Sequence, residues 1–395
     1  MTRFRKILHI DLDAFFCSVE ELLDPTLKGT VFATGGSSDQ RGVVTSCSYA
    51  ARRLGLHSAM PMKIAFQKVP DLQVVRGNHT RYAEYSKKVM AILGDVTPLV
   101  EQISIDEAFL DVTDMPQSGT DIARMIQHRV MQEVGLPCSI GIASNKLVAK
   151  IATNMAKSSY KGMGSPQAIL EVSTGGEEAF LAPLPINELW GIGKKNAEVF
   201  KSLGIKTIGD LVQAPPAFLE HEVGRFSQTL QRRARGIDDR PVGNYEEIKS
   251  ISNELTFGKD EYREEQLLRT LRYLSEKVAG RLRAKGFCGR TIRLKIRWHD
   301  FETHTRQFSL SQPTNHDTVI YTSARELFFS IWTPGKKVRL LGVAAANLTE
   351  NVQQLSFMDE TFQKEDQLLQ AMDDLKARFG KDVIKRGWRM KKDSH

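Results

Sequence analysis

Two short apolar runs that abut acidic residues restrict the fold of this chain more than any other feature. Ile7-Leu8-His9-Ile10 leads directly into Asp11 and Asp13, and the stretch from Leu99 to Val112 sets Asp106 and Glu107 between two apolar segments. The first reads as a buried strand ending on acids, the second as a β-hairpin with Asp106-Glu107 at its turn. Carboxylates at the rim of an apolar core are costly unless a cation binds them. Acids also end strands and occupy turns in most proteins, so spacing alone leaves solvated turn acids as an open reading.

Around these runs the chain reads as α+β. An amphipathic segment from Phe15 to Leu23 is closed by Asp24-Pro25, and a small α/β stretch runs to about Gly77. A helix from Thr80 to Leu93, the hairpin, a helix near Asp121 to Val134 and a strand from Cys138 to Ala143 follow. That order predicts an antiparallel-rich sheet. Ser144 is the expected N-cap of the next helix. The Gly- and Ser-rich stretch from Gly162 to Gly176 reads as a domain boundary, 180–236 as all-helical and 237–249 as a linker. Beyond it, Leu267, Leu268, Leu271, Leu274, Val278 and Leu282 share one helical face, and strands then alternate with a further helix to about Thr349. A length of 395 residues suggests two to four such units.

Hydrophobic residues at 41% and charged residues at 26% fit a soluble globular protein. The longest apolar runs, such as Leu340 to Ala346, are far too short to cross a bilayer, and the N-terminus reaches acids before a secretory segment could form. Cys17, Cys47, Cys138 and Cys288 are scattered, which predicts reduced thiols and a cytoplasmic location. His299 and His304 read as polar residues around a hairpin. The net charge of +8 raises the expectation of a polyanionic partner.

Acids contributed by two separate strands are what a two-metal site needs. Mg²⁺ is held by carboxylate oxygens and substrate phosphates, and two ions about 3.5–4 Å apart can activate a hydroxyl and neutralise a leaving oxygen. In the helix after Ser144, Lys146, Lys150 and Lys157 fall within about 40° of one another, opposite Leu147, Val148, Ile151 and Met155. The helix therefore buries one face and offers a lysine stripe on the other, where a plain solvated face remains an alternative. Leu189-Trp190-Gly191-Ile192-Gly193-Lys194-Lys195 reads as a helix-hairpin-helix, with glycines for the tight turn and a helix N-terminus for a phosphate. A plain helical corner is the competing reading. After Arg290, Ile292, Leu294, Ile296 and Trp298 alternate with Arg293, Lys295 and Arg297, so a basic strand face should stay open.

Four segments resemble the motifs of the Y-family DNA polymerases, closest to the bacterial DNA polymerase IV group. They are His9 to Glu20 (HIDLDAFFCSVE), Ser46 to Arg52 (SCSYAAR), Gln102 to Leu110 (QISIDEAFL), and Gly141 to Lys146 continuing to Met155-Ala156-Lys157. The resemblance implies a right-hand polymerase: palm 1–16 and 78–165, small fingers 17–77, helical thumb 166–236, linker 237–249, little finger 250–350 and tail 351–395. It implies low-fidelity, translesion synthesis on primer-template DNA from deoxynucleoside triphosphates, with two Mg²⁺ and no proofreading, by a monomer without membrane attachment. Asp11, Asp106 and Glu107 would hold the metals, with the Leu12 carbonyl assisting. Asp13 would be structural, Phe15 would pack under the nucleotide, and Phe16 would be the steric gate against a 2′-hydroxyl. Tyr49, Arg52 and Lys157 would hold the triphosphate. Gly191, Gly193, Lys194, Arg293, Lys295 and Arg297 would meet DNA. Gln354, Leu355 and Phe357, in Gln354-Leu355-Ser356-Phe357-Met358, resemble a sliding-clamp-binding peptide, although the common pattern ends in Leu-Phe where this chain has Phe-Met. A non-catalytic DNA-binding scaffold and a palm-type nucleotidyl cyclase are the competing classes. Intact acids argue against the first and the DNA-binding thumb against the second.

Overall fold

Strand β1 (Ile7–Leu12) and helix α1 (Phe15–Leu23) open the chain, joined through Ala14 in the left-handed region at φ 45°. A small sheet follows, built from β2 (Phe32–Gly35), β3 (Val44–Cys47) and, beyond α2 (Tyr49–Arg53) and α3 (Met62–Lys68), β4 (Gln73–Val75). Next come α4 (His79–Val96), β5 (Val100–Gln102), β6 (Glu107–Asp111), α5 (Gly119–Val134), β7 (Cys138–Ala143), α6 (Lys146–Ser159) and β8 (Ile169–Glu171). Helices α7 (Glu177–Leu181), α8 (Lys194–Ser202), α9 (Ile208–Gln213), α10 (Pro216–Val223) and α11 (Phe226–Ala234) make the expected helical region. This computed structural model describes residues 4–380 apart from 39, 163, 244–247 and 351–359, together with 383–384, and the chain divides into units 1–245 and 246–395.

In the first unit five strands lie in the order β5-β6-β1-β7-β8. Period-two alternation sorts the side chains of β1. Leu8, Ile10 and Leu12 join Ala108, Leu110, Ile140 and Ile142 in a core with Val19, Tyr82, Val89, Ile92, Ile122, Ile126 and Val130 from α1, α4 and α5. The opposite face, with Ile7 and Phe109, meets Leu147, Val148 and Ile151 of α6 and continues into the core of the helical region. Helix α6 can lie this close only because residue 141 is glycine. A Cβ there would stand 2.1 Å from the Ala149 carbonyl oxygen and 2.5 Å from the Thr153 nitrogen.

Three details differ from the sequence reading. The cap of α6 is Asn145, whose side chain accepts from Val148 N at 3.0 Å, while Ser144 Oγ donates to Glu177. Both residue types cap well, so neighbours decide, and Asn145 Nδ2 also reaches the Gly236 carbonyl at 2.8 Å. The supposed boundary at 162–176 contains β8, which pairs in parallel with β7. An Ile-Leu-Glu edge strand is too short to show a period. Finally, the expected linker is held to the first unit as far as Gly243. Asp238 accepts from Leu147 N at 3.1 Å, and Gly243 N donates to Glu101 at 3.1 Å.

The second unit comprises β9 (Ser250–Glu261), α12 (Glu264–Ala284), β10 (Phe287–Trp298), β11 (Thr303–Thr314), α13 (Asp317–Phe329), β12 (Val338–Glu350) and α14 (Glu360–Phe379). Its antiparallel sheet runs β11-β10-β12-β9. Leu267, Leu271, Leu274, Val278 and Leu282 of α12 pack on Ile292, Leu294, Ile296 and Trp298, as the alternation predicted. All four cysteines are free; Cys17, Cys47 and Cys138 are buried in the first unit.

Candidate active site

Strand register gathers the acids. Asp11 lies opposite Glu107 of β6 and Ser139 of β7, on the face that meets α6. Glu107 is therefore the first residue of β6 and not part of the turn, which ends at Asp106. Leu12 N donates to the Asp106 carbonyl at 3.0 Å and ties the two acid-bearing segments together. Ser104 fixes the turn: its hydroxyl donates to Asp106 Oδ1 and accepts from the backbone nitrogens of Asp106 and Glu107. The sequence signal for this was present, a serine two residues ahead of an aspartate in a turn, yet Ser104 was not singled out.

The lysine stripe of α6 faces the carboxylates, not solvent. Lys157 Nζ is 2.6 Å from Asp11 and 3.1 Å from Asp13, Lys150 Nζ is bonded to Glu107, and Lys146 Nζ is 2.8 Å from Glu101. Asp13 is wholly buried and also accepts from Ser139 Oγ at 2.9 Å and Gln167 N at 2.9 Å, so it braces the frame. His9, fully buried behind Glu107, bonds Thr153 Oγ1 at 2.9 Å, and its Nε2 stands 3.7 Å from Glu107. Burial, aided by Lys150, lowers the His9 pKa to about 4, so the ring is neutral. Burial resists ionisation of Glu107, but His9 and Lys150 outweigh it and bring the carboxyl to about 2. Asp11 behaves differently. Burial, reinforced by Glu107 and Asp106, raises it to about 6 against the pull of Lys157. Burial also disfavours the charge on Lys157, yet Asp11 and Asp13 overcome this and hold it above the ordinary lysine value. Three carboxylates thus share two ammonium groups, and Asp106 is held by Ser104 instead, which leaves an excess of hard anionic oxygen suited to a divalent cation. Among the described residues, no three His, Cys, Asp or Glu side chains close into a metal-binding cluster; the lysines occupy the acids.

Beside the acids lies a cavity of about 680 Å³, lined by Asp11, Leu12, Phe15, Phe16, Tyr49, Arg52, Asp106 and Lys157. Arg53, Asn154, Tyr160 and Lys161 also line it and were missed, since nothing in their spacing marks them. The Phe16 ring is stacked on Tyr82 (4.2 Å between centroids, 12° between planes) and meets His79 edge-on. Tyr82 is itself held by a hydroxyl bond to Glu20. Phe15 is buried beneath. The Tyr49 hydroxyl is buried with no hydrogen-bond partner among the described residues, and Arg52 lies 5.1 Å from the Tyr49 ring.

The nucleic-acid candidates are not among the residues that line this cavity. Gly191 takes φ +108°, a conformation that favours glycine, and a Cβ there would sit 2.8 Å from Arg233 Nη1. Gly193 caps α8 at φ −78° with open space around it, so its conformation does not require glycine. Lys194 is the exposed first residue of α8. In the second unit Arg293, Lys295 and Arg297 stand on the open side of β10, bonded to Gln307, Glu254 and Thr303 respectively. Gln354, Leu355 and Phe357 lie outside the described residues.

The chain matches the impB/mucB/samB family over residues 10–154, that family's C-terminal domain over 248–357 and its helix-hairpin-helix motif over 175–205. It is 40% identical over 387 residues to a DNA polymerase IV of Dehalococcoides mccartyi, covering 97% of each chain. To a DNA polymerase IV of Streptococcus mutans it is 39% identical over 365 residues, 91% of this chain and 96% of the other. A solved Y-family DNA polymerase chimera of Dbh carrying Dpo4 residues superimposes with a TM-score of 0.74 at 26% identity, covering 88% of this chain and 100% of that one. The insertion ternary complex of Dbh DNA polymerase gives a TM-score of 0.62 at 25% identity over the same shares. Palm, fingers, helical thumb and little finger are thus the architecture of this molecule, and the chain belongs to the impB/mucB/samB family, the Y-family DNA polymerases that include the bacterial DNA polymerase IV enzymes.

Proposed function

We propose that the chain extends a primer 3′-hydroxyl under template direction across damaged positions, without proofreading, using Asp11, Asp106 and Glu107 as ligands for two Mg²⁺. One observation carries this reading: a single cavity collects Asp11, Asp106, Phe16, Tyr49, Arg52 and Lys157 from four separate segments. When bound, the ions would lower the cost of ionising the primer hydroxyl and neutralise the departing pyrophosphate. Hard carboxylate oxygens are the donors such ions take, and the Leu12 carbonyl would add another.

The protein's own groups do the rest. Arg52 offers a forked donor set to phosphate oxygens and Lys157 a point charge, while the Tyr49 hydroxyl, without a partner among the described residues, supplies a further donor. Phe16, backed by Tyr82, cannot retreat, so a 2′-hydroxyl meets a fixed ring. The hairpin at Gly191, Gly193 and Lys194 and the Arg293-Lys295-Arg297 face grip the duplex backbone without reading sequence. Gln354, Leu355 and Phe357 dock on a sliding clamp. Palm 1–16 and 78–165, fingers 17–77, thumb 166–236 and little finger 250–350 are the proposed limits, with β8 added to the palm sheet. Tolerance of lesions rests on the small fingers and on family membership. The protein works as a cytoplasmic monomer on DNA.

Primer extension with Mg²⁺ on intact and lesion-bearing templates tests the reading. Template-dependent products on both support it. DNA binding with no extension would leave a scaffold, and a product from nucleotide without template would indicate a cyclase.

A further inference from the structure

Glu107 is held from a direction that the proposed chemistry does not explain. Its partner Lys150 also lies over the indole of Trp190, with the ammonium 5.6 Å from the ring centroid. Trp190 immediately precedes Gly191, the left-handed residue of the helical hairpin. The indole is itself fixed on several sides. Phe109, two residues from Glu107 on β6, lies 6.1 Å away, and the Arg240 guanidinium stacks at 4.7 Å. Asp238 grips Arg240 through two bonds of 2.7 and 2.8 Å and also accepts from Leu147 N at the start of α6, the helix that carries Lys150. Arg233 of α11 donates to the Trp190 carbonyl at 3.2 Å.

We propose that Trp190 and Lys150 are a positioning pair. The indole, carried on the loop that opens the hairpin, keeps the Lys150 ammonium on Glu107, so the placement of this carboxylate depends on the seating of the hairpin. A lysine has four rotatable bonds, and an ammonium only partly covered gains hydration by swinging outward. An aromatic face within about 6 Å attracts the cation and removes that alternative. Trp190 is not among the residues that line the cavity, so the indole acts through Lys150. The hairpin is the part of the first unit suited to a phosphate backbone, so DNA held there and the carboxylate at the primer end share one mechanical link. This inference rests on the reading of Glu107 as a metal ligand.

The test uses the full chain with Trp190→Leu, Trp190→Phe, Lys150→Met and the double variant Trp190→Leu/Lys150→Met. Trp190→Leu should lower the single-turnover rate at saturating nucleotide roughly tenfold or more, with primer-template and nucleotide affinities within about twofold of wild type. Trp190→Phe should recover most of the rate. Trp190→Leu should cost little further in the Lys150→Met background, because the two act in series. Indole emission provides a readout independent of turnover. The wild-type spectrum minus that of Trp190→Phe isolates this residue, and the same difference taken in the Lys150→Met background should be shifted. If instead Trp190→Leu loses melting temperature and DNA affinity in step with rate, and its effect multiplies with that of Lys150→Met, Trp190 only braces the hairpin and the pair is refuted. Glu107→Gln, measured alongside, separates the two levels. An active Glu107→Gln overturns the role of Glu107 and the pair with it, whereas an inactive one with an unaffected Trp190→Leu sinks the pair alone.

Discussion

The two larger sheets of this molecule carry their charges in opposite ways. In the five-stranded sheet, charge sits at the end of buried strands: Asp13 is wholly enclosed, and every acid near it has a lysine, serine or backbone partner. In the four-stranded sheet, Arg293, Lys295 and Arg297 stand on an open face, bonded to exposed polar neighbours that can let go. Desolvated charges interact strongly and tolerate little displacement, whereas exposed charges are screened and forgiving. Chemistry needs the first arrangement, and a sliding grip on a polyanion needs the second.

The contrast can be broken at its strongest point. Asp106→Ala should abolish nucleotide incorporation and leave primer-template affinity nearly unchanged. Near-normal extension at physiological Mg²⁺ would mean the buried acids are not the chemical centre. Phe16→Val should cost less activity but lower the ratio of deoxy- to ribonucleotide efficiency by orders of magnitude, if the ring held by Tyr82 is the barrier proposed above. An unchanged ratio would remove Phe16 from that role. On the open face, replacing Arg293, Lys295 and Arg297 together by glutamate should weaken binding to every template alike and flatten the dependence of log affinity on log salt. A loss confined to particular sequences would contradict the screened-grip picture.

A pair of equal-sized substitutions sharpens the comparison further. Gly141→Ala drives a methyl into the backbone of α6 and should destabilise the first unit by about 1–3 kcal/mol. Gly342→Ala meets Glu254 Cγ at 2.8 Å, a side chain that can turn aside by giving up its exposed ion pair with Lys295. Its cost should be the smaller of the two, and thermal melting of both variants reads the difference. The smallest effect is expected at the candidate clamp peptide. Alanine at Gln354, Leu355 and Phe357 should leave single-nucleotide insertion and melting temperature untouched and remove only stimulation by a loaded clamp. Loss of basal activity and stability together would mean that these residues pack internally.

The same contrast explains what could be read without coordinates. Alternation in 292–298 and the lysine spacing in α6 are periodic signals, and both placed their side chains on the correct faces. What periodicity could not say was what each face meets. The lysines of α6 turned out to be enclosed among acids because Gly141 lets the helix close on the sheet, and no local pattern announces that. Ser104, His9 and Trp190 escaped notice for the same reason: their significance lies in contacts across the sheet. The strand β8 and the tie from Gly243 to Glu101 were hidden by short length and by composition that resembles a loop. The acids themselves stood out because carboxylates beside apolar runs are costly and therefore informative.

The buried thiols of the first unit bear on the circumstances in which such an enzyme is needed. Burial pushes Cys17 up to about 12, and it raises Cys47 and Cys138 as well. Cysteine reacts with peroxides and disulfides by attack of its thiolate, and a raised pKa disfavours that form in all three residues. A burst of peroxide should therefore find no ready thiolate in the unit that holds the acids, so its cysteines stay reduced for as long as the fold keeps them buried.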